Sequence, residues 1–226
     1  MNHQKCRLDT QTFRITNKSE HFVAEITQNQ AEADWLLAQL STQSRSMIDS
    51  DWKMFVQSPF EYPLPIPKEY AARFKPAGYN RNCIYLSEDQ LSSIFEAAFY
   101  FYRGRANLKD QSHKSQQRIL LGISIATNNA IDTCNYSAIN LNRLTNKNDY
   151  SPSQDFVNKI KINFDAIRFP SCRKSGGYNI ATYEQELFKK HTLVTQPAWF
   201  SSEKGTIKVI ILNDALAYKI KWSDVS

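Results

Sequence analysis

Apolar and polar positions along this 226-residue chain change period several times, and each change predicts an element. From 87 to 103 the spacing is helical. Leu91, Ile94, Phe95, Ala98 and Tyr102 form one apolar stripe, and Glu96 lies off it on the side shared with Tyr100 and Arg103. Ser87, followed by Glu88, Asp89 and Gln90, supplies a capping-box start with acid in the first turn. A helix is also predicted over Gln28–Leu40, with Thr27 as N-cap and Ala31, Trp35 and Ala38 at helical spacing, and another over Ser151–Ile162 after a Ser-Pro start. Shorter runs read as strands: Gln11–Thr16, Asn82–Leu86, Arg118–Ala126, Ala166–Phe169, Thr206–Leu212 and Ala217–Trp222, with a turn near Asn213-Asp214. Asp51–Gln57 is partly apolar, and Tyr178–Leu187 fits either element. Pro59, Pro63, Pro65 and Pro67 make Ser58–Pro67 extended or loop-like. Strands and helices alternate without a βαβ rhythm, which predicts an α+β fold in a single domain over 1–226.

Composition narrows the classes. The chain is 42% hydrophobic and carries 13 Phe, 11 Tyr and 4 Trp, enough for a real core and against disorder. Its six glycines build no phosphate-cradling loop. Gly176-Gly177 is a turn signal, so a P-loop enzyme or a Rossmann-type dehydrogenase is disfavoured. The net charge of +6 favours anionic ligands or an acidic partner, but no basic run marks a nucleic-acid stripe, and direct nucleic-acid binding is not expected.

Cys6, Cys83, Cys134 and Cys172 show no C-x-x-C pairing, and His3, His21, His113 and His191 show no ligand spacing, so no metal is expected. Cys172 reads as a structural thiol rather than a nucleophile. Residues 1–20 lack the apolar core of a secretory leader, and no run approaches a membrane span. The expected setting is a reducing cytoplasm, with a secreted effector as the alternative.

One ordered set of residues carries chemistry. Arg73-Phe74 offers a guanidinium fork suited to a pyrophosphate, and Tyr85 a flat face and a hydroxyl. Glu96 offers a carboxylate to steady positive charge on a sugar, and Phe169-Pro170-Ser171 a hydroxyl. Together they suggest attack on a dinucleotide such as NAD.

With these residues the chain resembles the RES family, named for its Arg, Glu and Ser. The similarity spans about Phe13 to Trp222, with 1–12 as an extension. It rests on Pro59-Phe60-Glu61-Tyr62 ahead of Arg73-Phe74, on Cys83-Ile84-Tyr85-Leu86, on Glu96 eleven residues later, and on Pro170-Ser171-Cys172-Arg173 followed by Gly176-Gly177-Tyr178-Asn179. Asp149-Tyr150 with Ser153-Gln154 resembles a further family segment. Departures are Ala72 where the family carries Gly or Ser, Lys75 in place of a small polar residue, Tyr100 where some members have histidine, and a slightly longer interval from Arg73 to Tyr85.

The resemblance implies an ADP-ribosyltransferase-like core of two packed mixed β-sheets with surrounding helices. It implies a toxin of a toxin–antitoxin pair that degrades NAD as glycohydrolase or phosphorylase, held inactive by an Xre-like helix-turn-helix antitoxin. Protein mono-ADP-ribosyl transfer is the alternative activity, and a binding module with a decayed site is the non-enzymatic one. In this reading Glu96, Arg73 and Tyr85 are catalytic, and Arg73, Tyr85, Ser171, Arg173 and Asn179 bind NAD. Arg73 takes the pyrophosphate or adjoining ribose, Tyr85 stacks on nicotinamide or shapes its pocket, and Ser171 positions the ribose or the nicotinamide amide.

Overall fold

The computed structural model describes residues 5–17, 51–61, 63–106, 114–135, 140–203, 205–211 and 216–225. The predicted helix over 28–40 with its cap Thr27, Tyr62, the 213–214 turn, and His3, His21 and His113 lie outside them.

Eight strands are described: β1 (Lys5–Asn17), β2 (Ile84–Ser87), β3 (Lys114–Asp132), β4 (Ala166–Pro170), β5 (Tyr178–Thr182), β6 (Val194–Glu203), β7 (Thr206–Ile211) and β8 (Leu216–Lys221). Two sheets are expected, but the described strands join in one hydrogen-bonded network, in the order β1-β2-β5-β4-β3-β6-β7-β8. An added β1–β3 pairing closes the first five strands into a ring. The 19-residue β3 makes this possible. It pairs with β1 along much of its length, with β6 at its start and with β4, in parallel, at its end.

β3 and β1 extend well beyond the predicted Arg118–Ala126 and Gln11–Thr16, and β5 resolves the ambiguous 178–187 stretch as a strand followed by a 3₁₀ turn at Gln185–Leu187. β6 has no counterpart in the sequence expectations because Pro197 interrupts its pattern. The proline is tolerated because the β7 pairing covers only Ala198–Glu203.

The long helix α1 (Gln90–Ala106) lies against this sheet. Its predicted stripe is buried at Ile94 and Ala98, and Ala97, Phe99 and Phe101 are buried as well. They pack against Phe200, Ile207, Val209, Ile211 and Ile220. Burial on the other sides leaves Glu96 half-buried and Tyr100 and Arg103 exposed on the remaining one.

The capping residue differs from the expected Ser87. Asp89 accepts from the Ser92 backbone N–H at 2.7 Å and from its hydroxyl at 2.6 Å. Ser87 is the last residue of β2, and its hydroxyl turns to Asn179 instead. Glu88 forms a bidentate pair with Arg168 at 2.6 and 3.0 Å, and Arg168 also holds Asp132 at 3.0 Å, tying the start of α1 to β4 and β3.

Besides a helical segment that includes the π-turn Lys53–Gln57, with Phe55 and Val56 buried, three further short α-helices are described. α2 (Leu141–Leu144) is capped by Asn140, and α3 (Ser151–Lys159) carries Pro152 in its first turn and ends before the predicted Ile162. α4 (Trp222–Val225) begins where the last strand is predicted to end, because Trp222 stacks on Tyr102 at 4.2 Å between ring centroids. The proline-rich segment is partly helical: Ser58–Phe60 is a 3₁₀ turn with Pro59 in it. No described helix is long and apolar enough to cross a membrane.

Candidate active site

β1 and β2 share one paired position, Phe13 with Ser87. Beyond it the strands part, and a cleft of about 500 Å³ opens, lined by Phe13–Thr16, Tyr85–Ser87, one side of α1 and the loops that follow. That is within the usual size range of small-molecule sites.

Local structure explains how each group reaches this cleft. Arg73-Phe74 sits in a tight turn closed by reciprocal backbone bonds between Ala72 and Lys75. Phe74 is fully buried, its ring 4.4 Å from that of Phe169. Two tyrosines fasten its backbone: the Phe74 N–H donates to the Tyr85 hydroxyl at 2.8 Å, and the Phe74 carbonyl accepts from the Tyr183 hydroxyl. The anchored phenylalanine thus sets where Arg73 points. Tyr85 contributes to the cleft wall, its ring edge-on to Phe169 at 6.5 Å. Burial holds its phenol well above the ordinary range.

Glu96 faces the cleft from the middle of α1 and is held from two sides. Its Oε1 accepts from the Ser171 hydroxyl at 2.9 Å and from the Asn179 amide at 2.8 Å. Asn179 is fixed by the Ser87 hydroxyl, which donates to its Oδ1 at 2.7 Å. The Ser171 hydroxyl in turn accepts the Arg173 and Lys174 N–H groups, each at 3.1 Å. Both bonds land on one carboxylate oxygen, and Oε2 has no hydrogen-bond partner among the described residues. The carboxylate is therefore aimed before any ligand arrives.

Gly176-Gly177 makes this approach possible. Gly176 adopts φ +73°, a conformation that favours glycine, and a Cβ at Gly177 would stand 2.0 Å from the Ser92 Oγ in the first turn of α1.

Arg73, Tyr85, Glu96, Arg173 and Asn179 all line this one cleft. Ser171 does not. It is partly buried beside the cleft, and its hydroxyl is directed to the Glu96 carboxylate.

The Arg73 fork is also differently engaged than the sequence suggests. It donates to the carbonyls of Leu144 and Asn146, the latter at 2.7 Å, and to the Cys172 sulfur at 3.4 Å. Its guanidinium lies 4.7 Å from the Tyr150 ring centroid. Arg173 donates to the carbonyls of Val225 at 2.9 Å and Lys147 at 3.0 Å, and stacks on Phe99 at 3.5 Å. Cys172 lines the cleft too, its thiol pushed up by burial first and by Glu96 second.

Sequence reasoning gave no role to Tyr100, Tyr150, Arg14 and Arg118, all in the lining. Tyr100 follows Glu96 by one helical turn, and that spacing was the available signal. Its side chain is more than half exposed, yet partial desolvation of its hydroxyl and the neighbouring Tyr150 raise its phenol. Arg14 and Arg118 sit on β1 and β3 with nothing in the local pattern to mark them. With Arg73 and Arg173 they give the lining four guanidinium groups against one carboxylate, a field suited to an anion.

No match was found among curated proteins. The profile of the RES domain matches residues 45–201, well over half of the chain and shorter at both ends than the 13–222 resemblance. The chain belongs to the RES-domain family.

Proposed function

We propose that this protein is a toxin-like enzyme that degrades NAD by cleaving the bond between nicotinamide and ribose. The observation that carries the reading is Glu96, fixed by Ser171 and Asn179 on one wall of a cleft with four arginines in its lining. A dinucleotide brings two phosphates and two flat rings. The positive charge of Arg14 and Arg118, with Arg73 and Arg173 behind it, suits the first, and Tyr85, Tyr100, Tyr150 and Phe169 suit the second.

The chemistry asks for little more. Nicotinamide in NAD is already cationic and leaves without a general acid. Positive charge then grows on the ribose, and a carboxylate beside the anomeric carbon stabilises it. Glu96 takes that place. Ser171 and Asn179 keep it aimed, Tyr85 bounds the nicotinamide end, and water or phosphate accepts the ADP-ribosyl group. Losing the carboxylate should cost about 3 kcal/mol, roughly a hundredfold in rate. The mixed sheet is read as an ADP-ribosyltransferase-like core, the setting as cytoplasmic, and the natural regulator as an Xre-like helix-turn-helix antitoxin that covers the cleft.

The test is release of nicotinamide from NAD by the purified protein, with Glu96→Gln alongside. NAD labelled in its adenosine half separates the acceptors. Free ADP-ribose means hydrolysis, ADP-ribose 1″-phosphate means phosphorolysis, and label on protein means transfer. Equal release by the parent and Glu96→Gln sinks the reading. Co-expression with the neighbouring gene tests the regulator, through co-purification and restored NAD levels.

A further inference from the structure

We infer that Arg73 and Arg173 act in this cleft as positioning residues, fastening the 144–150 loop so that Tyr150 forms a wall against the substrate. This rests on the NAD reading only in naming the substrate; the clamp itself is a property of the chain. Three of the five Arg73 donors are directed to Leu144, Asn146 and Cys172. Arg173 adds Lys147. The carbonyls of 144, 146 and 147 are therefore held by two buried guanidinium groups. A charged donor on a carbonyl makes a stronger bond than a neutral one.

The loop is also held by backbone bonds from Thr145 to Leu141 and from Asn146 to Arg143, by the Ser153 hydroxyl on the Leu144 carbonyl at 2.9 Å, and by its own polar side chains. Asn146 accepts the N–H groups of Asn148 and Asp149, each at 2.9 Å, and Asp149 accepts that of Ser151 at 2.9 Å. Tyr150 ends it, and its carbonyl accepts Ser153 and Gln154 at the start of α3. Gln154 then reaches back to the Ala72 carbonyl at 3.0 Å, beside Arg73 itself. Arg73 also covers one face of the Tyr150 ring. The ring is thus backed by a cation, bounded by Tyr100, and part of the cleft lining. An arginine that took a phosphate with its fork would have to release these carbonyls and loosen the wall.

Arg73→Lys tests this, because lysine keeps the charge but not the fork. Hydrogen exchange at the amides of 145–149 reads the loop without any substrate. Binding of ADP-ribose, as probe, reads the wall in Arg73→Lys, in Tyr150→Leu and in the double variant. The expected results are exchange faster by about tenfold and ADP-ribose binding weaker by about tenfold, from the loss of charged hydrogen bonds. In the double variant Arg73→Lys should add less than about twofold, since its effect runs through Tyr150.

Arg173→Lys, which removes the anchor on Lys147, must loosen the same amides, and it decides the matter if Arg73→Lys does not fold. Unchanged exchange in either folded variant overturns the clamp. Losses that multiply in the double variant overturn the wall and return Arg73 to direct phosphate contact. If the parent neither binds ADP-ribose nor releases nicotinamide, the NAD reading fails, and the exchange measurement alone decides the clamp.

Discussion

Replacing Ser171 with alanine separates a residue that touches the ligand from one that aims the carboxylate. The hydroxyl donates to Glu96 Oε1 at 2.9 Å and does not line the cleft. A hydrogen bond to a charged group contributes about 1.5–3 kcal/mol. Asn179 still holds the same oxygen at 2.8 Å, so the lower end applies. Ser171→Ala should therefore lower kcat roughly tenfold and leave KM within about twofold. The same change removes the acceptor of the Arg173 and Lys174 N–H groups, costing about 1 kcal/mol of stability, or a few degrees in Tm. The assay is steady-state nicotinamide release, repeated in a Glu96→Gln background where the serine has no carboxylate to aim. A rise in KM at constant kcat would refute the reasoning and give Ser171 the ligand contact that the sequence suggests. So would an undiminished effect in the Glu96→Gln background.

Other expectations follow from the same geometry. Gly177→Ala drives a methyl group into Ser92 at the start of α1, so it should destabilise the fold by about 1–3 kcal/mol in a thermal melt; a melt matching the parent's would show that the turn yields freely. Arg168→Met leaves Glu88 and Asp132 without their shared cation in a mostly buried setting, at a cost of about 2 kcal/mol in urea unfolding. Burial pushes the Cys83 thiol from 9.0 up to about 11. Above pH 9 the unfolded chain therefore ionises this thiol while the folded chain does not. Stability present below pH 9 is lost on rising to 11, by about 2–3 kcal/mol, and Cys83→Ala should remove that part of the slope in urea midpoints measured from pH 8 to 11. Cys172, raised by burial and by Glu96, should react slowly with iodoacetamide at pH 8 and faster in Glu96→Gln, as mass spectrometry would report.

The sequence by itself determined the local elements whose period is strong. Helix α1 was legible because Ile94 and Ala98 repeat at helical spacing, and β7 because Ile207, Val209 and Ile211 alternate. Through the family resemblance it also named five residues of the cleft lining, Arg73, Tyr85, Glu96, Arg173 and Asn179, which stand in a recognisable order. Tertiary structure decided the rest. Local pattern carries no information on which strands pair, so the closure of β1 onto β3 and the parting of β1 from β2 were not legible. β6 was hidden because Pro197 breaks the alternation, while its neighbours on both sides supply the pairing that makes it a strand.

The same limit applies to the site. The resemblance implied a serine and an arginine for it, but not what they touch. Ser171 meets Glu96, and Arg73 meets the carbonyls of a loop more than seventy residues away. Those partners are chosen by distances in space, which arise only once the sheet has closed and α1 has packed across it.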